Sequence, residues 1–196
     1  MHSTFDSAGD FLSEPDLAHP RKMRPSVERQ IAERALLIRR QRTVPADWEE
    51  IRRFLDRVPG RLAPFPYSVC VLSDRGIRRY NKRFRRRDEA TDVLSFPAGR
   101  TVRRKKGRNR YLGDILISAE TARVNARRYG LRLEDEIKTL VLHALLHLLG
   151  HDHERDNGEM ARREKQWAAR LGLKQPVIGR VRPAREKRSA ASFIGE

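Results

Sequence analysis

Apolar positions along this chain follow two rhythms, and the switches between them mark out the elements. Three short runs rich in β-branched and aliphatic residues, Ser68 to Leu72, Asp92 to Phe96 and Asp114 to Ser118, predict strands. Leu36-Leu37-Ile38 is ambiguous: it reads equally as a first strand or as the continuation of a helix begun at Val27. Elsewhere the spacing is helical. Pro45 and Asp47 open a helix with Trp48, Ile51, Phe54 and Leu55 on one face, and further helices are predicted from about Asp74 to Arg85, Ala119 to Tyr129, Leu133 to Leu149 and Asn157 to Leu171. The helix from Leu133 is apolar nearly all round and so belongs in the interior, with Glu134, Asp135 and Glu136 in its first turn complementing the helix dipole. Pro59, Gly60, Pro64 and Pro66 make a loop, and the polar, basic link from Pro97 to Tyr111 is a second, of the kind that binds substrate. The expected fold is α+β: one domain in which a small mixed β-sheet of about four strands packs with about five helices.

Length and composition set the boundaries of that domain. With 196 residues and 38% hydrophobic content, the chain supports one modest core. Residues 1–34 are polar and broken by Pro15, Pro20 and Pro25, and are expected to be a flexible extension; residues 35–175 are the domain; residues 176–196 turn basic and are expected to be a flexible tail. No apolar stretch is long enough to span a bilayer, and the N-terminus does not read as a secretory signal. Cys70 is the single cysteine and lies in an apolar run, which suggests a buried thiol in a reducing compartment. A cytoplasmic location without membrane contact is the expectation.

Charge points to the partner. Lys and Arg number 43 against 26 Asp and Glu, a formal net charge of +17, which implies a polyanion such as nucleic acid or the ribosome. The excess is concentrated: from Arg75 to Arg110 there are fifteen basic and three acidic residues, much of it in Lys82-Arg83-Phe84-Arg85-Arg86-Arg87 and in Arg103-Arg104-Lys105-Lys106. Arg83, Arg86, Arg87 and the 103–106 cluster are candidates for sequence-independent contact with a nucleic-acid backbone. Tyr80 and Phe84 could stack on unpaired bases, although at least one of them is expected in the core.

The densest chemistry lies in the run LHALLHLLGHDH. His143 and His147 are four apart, a rotation of only about 40° on a helix, so both project from one face. Gly150 suits a left-handed cap that turns the chain back, bringing His153 toward the same point. Three imidazoles leave one coordination position open on a tetrahedral ion, the arrangement of a catalytic rather than a structural zinc site. The expected cofactor is one divalent metal ion, zinc in first place, with nickel or another divalent ion able to occupy the same nitrogens. His151 lies on the turn and is not expected to be a ligand. The offsets match the zincin pattern H-E-x-x-H-x-x-G-x-x-H, but the glutamate that acts as base in those peptidases is replaced by Ala144. Asp152 and Glu154 are the nearest carboxylates in sequence that could buttress a ligand or polarise water, although a turn or solvent-facing role is the leading expectation for each. A metal site beside basic clusters favours phosphodiester chemistry.

Three blocks in this order, YNKRFRRRDEATDVLSFP at 80–97, LGDILIS at 112–118 and HALLHLLGHDH at 143–153, resemble the YbeY family of bacterial rRNA maturation factors. The likeness runs from about residue 35 to about residue 172. It implies a metal-dependent, single-strand-specific endoribonuclease acting in 16S rRNA 3′-end maturation and ribosome quality control. Its zinc ligands would be His143, His147 and His153, and its important arginine Arg85, which a structural reading would instead use to cap a helix end or to pair with Asp88. It also implies single-stranded rRNA and the small ribosomal subunit as partners, together with a small-subunit ribosomal protein and an Era-type GTPase. This chain departs from the family pattern at Phe84, Arg87, Ala90, Ala144 and His151; Arg87 keeps the charge of the usual lysine and adds a planar fork suited to phosphate. Two rival readings are an rRNA-binding assembly factor whose metal only holds the fold, and a zinc hydrolase of peptides or small molecules.

Overall fold

A computed structural model describes residues 34–98, 111–152 and 156–178. Its elements run β1 (Ala35–Arg39), α1 (Trp48–Asp56), β2 (Tyr67–Leu72), α2 (Asp74–Arg85), β3 (Val93–Pro97), β4 (Gly113–Ser118), α3 (Ala119–Arg128), α4 (Leu133–Leu148) and α5 (Glu159–Leu171). The strands form one sheet in the order β1-β2-β4-β3; β1, β2 and β4 are parallel, and β3 runs antiparallel to β4. The expected α+β domain with a mixed four-stranded sheet is what the chain builds.

Pairing settles what periodicity left open. Leu36, Leu37 and Ile38 lie opposite Ser68, Val69 and Cys70, so this segment is a strand because β2 supplies its backbone partners. The central strands β2 and β4 are buried at every position, which explains their continuous apolar runs. Successive side chains divide between the two faces. Val69, Val71, Ile115 and Ile117 join the large core beneath α1, α3, α4 and α5, while Cys70, Leu72 and Leu116 join Ile77 and Leu94 in a smaller core under α2. Burial pushes the Cys70 thiol up to about 12, consistent with an inert core residue.

Several ends differ from expectation for local reasons. β3 extends to Pro97, tolerated because β3 is an edge strand whose outer side has no ladder to feed. α5 begins at Glu159 rather than Asn157: Asn157 and Gly158 take left-handed φ of 50° and 82°, and the Asp156 carboxylate accepts from the amides of Gly158 and Met160 at 3.0 and 2.7 Å. Val177 and Ile178, placed by the sequence reading at the head of the C-terminal tail, pack against the large core.

α4 is the axis of the fold. It is buried along nearly its whole length, and its acidic first turn is tied to α1, where Asp47 N–H donates to Glu134 at 2.8 Å and Glu50 receives Arg132 and Lys138. Gly113 at the start of β4 has φ +151°, and a Cβ there would lie 2.4 Å from the Phe96 carbonyl oxygen and 2.8 Å from Leu148 Cδ2. Only glycine lets the β3–β4 end approach the C-terminal turn of α4 so closely, which is the turn that carries His147.

Candidate active site

α4 brings its two histidines onto one face, as their spacing requires. His143 is buried, His147 half-buried, and their Nε2 atoms stand 3.1 Å apart with the rings at 76°. Two nitrogens held about 2.0–2.1 Å from one tetrahedral ion would lie about 3.3 Å apart, so the pair is spaced as two ligands of a single ion would be. The same separation also serves an N–H···N hydrogen bond between the rings.

A further partner of the pair is on α5. Glu164 is completely buried, and its Oε1 lies 2.9 Å from His143 Nδ1. A carboxylate is an acceptor, so Nδ1–H donates to Glu164, and the lone pair of a neutral His143 is then on Nε2, directed at His147. The other carboxylate oxygen, Oε2, accepts from the Ile178 amide at 2.8 Å. This is the carboxylate–histidine pairing that orients metal-ligating imidazoles.

Sequence reasoning missed Glu164 and looked to Asp152 and Glu154. Asp152 lines the cleft over the histidines, whereas Glu154 lies outside the described residues. The omission of Glu164 has a simple cause: proximity in the chain is a poor guide once α5 folds back across α4. A signal was nevertheless present, since Met160, Glu164 and Ala168 fall at i, i+4 and i+8 on the buried face of α5, and an ionisable residue there needs a buried partner.

Gly150 does what its position suggested. It has φ +98°, its N–H bonds to the His147 carbonyl at 3.0 Å, and the next N–H, of His151, reaches back to the Leu146 carbonyl at 3.1 Å. This is a Schellman closure, and it swings His151 and Asp152 over the cleft. His153 lies outside the described residues, and among the described residues no group of three or more His, Cys, Asp or Glu is placed to hold a metal. His143 and His147 are thus the described portion of the expected ligand set.

The cleft has a volume of about 580 Å³ and is lined by His143, His147, His151, Asp152, Ser95 of β3 and Arg85, among others. Arg85 is the last residue of α2, and it faces the cleft with no ion-pair partner among the described residues. The alternative role weighed for it is taken by others: Asp88 binds Arg78 at 2.8 Å and Lys82 at 2.9 Å, and these two cations hold its carboxyl down at about 2. Asp92 also lines the cleft, but its oxygens accept from Thr91, the Val93 amide and Asn125, so it braces the floor.

The basic residues around Arg85 separate into distinct roles. Arg86 takes a left-handed φ of 59° as the cap of α2, and its N–H bonds to the Lys82 carbonyl. Arg83 lies over the Phe84 ring at 5.6 Å, and Arg87 lines a neighbouring cleft that Arg85 also borders. Arg103, Arg104, Lys105 and Lys106 lie outside the described residues. Tyr80 packs on the smaller core, and Phe84 meets Phe96 edge-on with centroids 5.1 Å apart. Since Phe96 and Leu94 share the α2 side of β3 and Ser95 lines the histidine cleft, these rings sit across the sheet from His143. Ala144 is buried, and its methyl group offers no base where a zincin peptidase needs one. Among the described residues no helix is long and apolar enough to cross a membrane.

A model of the family described as Endoribonuclease YbeY matches residues 41–172. An Endoribonuclease YbeY of Solibacter usitatus is 46% identical over 132 residues, covering 67% of this chain and 84% of that protein. One of Myxococcus xanthus is 45% identical over 124 residues, covering 62% of this chain but only 42% of its own greater length. A Thermotoga maritima protein solved in solution aligns at 23% identity with a TM-score of 0.47, over 70% of this chain and 88% of that one.

Proposed function

Since this chain belongs to the Endoribonuclease YbeY family, we propose that it is a metal-dependent endoribonuclease that cuts single-stranded rRNA during small-subunit maturation and quality control. The observation that carries this reading is the convergence of Arg85, from the end of α2, with His143 and His147, from α4, on one open cleft.

His143 and His147, joined by His153, would hold one divalent ion, zinc in first place. The donor set fits: the two Nε2 atoms are 3.1 Å apart and Glu164 keeps the His143 proton on Nδ1. Such an ion, when bound, supplies Lewis acidity toward a phosphoryl oxygen or water. The chain's own residues do the rest. Arg85 presents a rigid fork to two non-bridging oxygens of the scissile phosphate and offsets the charge that grows in the transition state. Glu164 holds the His143 ring and its tautomer, and Asp92, tied to Asn125, fixes the floor against which the strand is aligned. The surrounding basic surface attracts the RNA backbone irrespective of sequence. A cytoplasmic location and the small-subunit protein and Era-type GTPase partners belong to the same proposal.

The test is cleavage of a single-stranded precursor rRNA 3′ segment by the metal-loaded full chain. Chelation should abolish cutting, and Arg85→Ala should reduce kcat/KM by about 10² to 10³, as for loss of one transition-state donor. Arg85→Lys should recover only part of it, because a point charge cannot bind bidentately. Metal-loaded protein that leaves the RNA intact would overturn the assignment.

A further inference from the structure

The histidine cleft does not end at Arg85. Arg85, Thr91 and Asp92 also border a second open cleft of about 550 Å³, whose far wall is built by Asn125 and Arg128 of α3 and whose near wall includes Arg87. The proposed chemistry uses only its shared edge, at Arg85 and the Asp92–Asn125 pair, and leaves Arg87 and Arg128 without a role. We infer that the second cleft is a substrate subsite, which binds the single-stranded nucleotides flanking the scissile phosphate and draws the strand from Arg85 toward Arg128.

Three observations support this. Arg85, Arg87 and Arg128 line the cleft from two separate elements, and among the described residues none of the three has an ion-pair partner. Guanidiniums that line one groove without an ion-pair partner among the described residues suit successive phosphates. Of the two acidic residues in the wall, Asp92 is held by Thr91, Val93 and Asn125 and Glu89 is exposed, and the three guanidiniums outnumber these two carboxylates. Finally, Asn125 donates its amide to Asp92 while its carbonyl oxygen remains an acceptor for a base edge, and Tyr129 adds an aromatic ring to the wall. The volume of about 550 Å³ falls in the range of sites for small ligands such as individual nucleotides.

The inference rests on the nuclease reading but can fail separately from it. Binding of labelled oligouridines of about four and about twelve nucleotides, spanning the usual range of single-strand site sizes, would be followed by anisotropy on the full chain, alongside cleavage of both. For the parent, lengthening the RNA should tighten binding. Arg128→Glu should remove most of that gain, weakening the longer RNA about tenfold more than the shorter, and should lower the salt slope by about 0.7 for the lost phosphate contact. Arg128→Gln should act in the same direction, and melting curves would confirm that both variants fold. Arg53→Glu, at an exposed position of α1 outside both clefts, makes the same charge change and should leave binding as in the parent. Equal losses on both lengths, or an Arg53→Glu effect as large as that of Arg128→Glu, would overturn the subsite. A parent that neither binds nor cuts either RNA would instead sink the nuclease reading itself.

Discussion

Replacing Glu164 by Gln isolates the role of the buried carboxylate with almost no change in shape. In the parent both oxygens accept, one from His143 Nδ1–H at 2.9 Å and one from the Ile178 amide at 2.8 Å. A carboxamide has one accepting end and one donating end, so it cannot serve two donors. If its NH2 faces Ile178, two donors collide and that hydrogen bond is lost. If it faces His143, the imidazole must shift its proton to Nε2, the atom needed as a lone pair beside His147. Either outcome loses a charge-assisted hydrogen bond in the interior, a cost of about 1.5 to 3 kcal/mol in stability. Loss of a partner of this type usually weakens metal binding about 10- to 100-fold, equivalent to about 1.4 to 2.7 kcal/mol. Competition with a chromogenic chelator would give zinc affinity for the parent and Glu164→Gln, with urea unfolding on the same preparations. A variant that folds and binds zinc within about twofold of the parent would refute the reasoning, since a change that small is worth well under 1 kcal/mol.

Three further outcomes follow from other parts of the fold. Gly113→Ala forces a left-handed φ and a Cβ only 2.4 Å from a backbone oxygen; it should destabilise the protein by roughly 2 to 4 kcal/mol in urea unfolding, and an unchanged midpoint would contradict the close approach described. A chain ending at Gln175 lacks the Ile178 amide and the packing of Val177 and Ile178; it should lose about 2 to 3 kcal/mol of stability and bind zinc more weakly, whereas equal affinity would detach the C-terminal segment from the site. Arg132 foremost, and then Lys138, hold the Glu50 carboxyl down at about 2 from an ordinary 4.5. Because its folded pKa is depressed, the stability it contributes is present above about 4.5 and fades as pH falls toward about 2. The stability gap between the parent and Glu50→Gln should therefore close across that window, and a gap that stays constant would rule out the pairing.

The helices and central strands were legible because each carries its own record of burial: the all-round apolar α4, the continuous runs of β2 and β4, and the turn chemistry of Gly150. The same holds for the histidine pair, whose common face follows from helix geometry alone. Leu36-Leu37-Ile38 was not legible, since a strand there exists only by pairing with β2. Glu164 was equally hidden as a partner of His143, because twenty-one residues separate them and only the packing of α5 on α4 brings them within 2.9 Å. The neighbours of Arg85 looked alike as a basic run, yet the backbone of Arg86 caps α2, the Arg83 guanidinium lies over the Phe84 ring, and Asp88 engages Arg78 and Lys82. By itself the sequence determined which residue types and local elements exist, because these depend on short-range periodicity and backbone sterics. Only the tertiary structure decided which of the many charges face one another, because electrostatic and hydrogen-bond partners are chosen by distance in space, and distance along the chain says little about it.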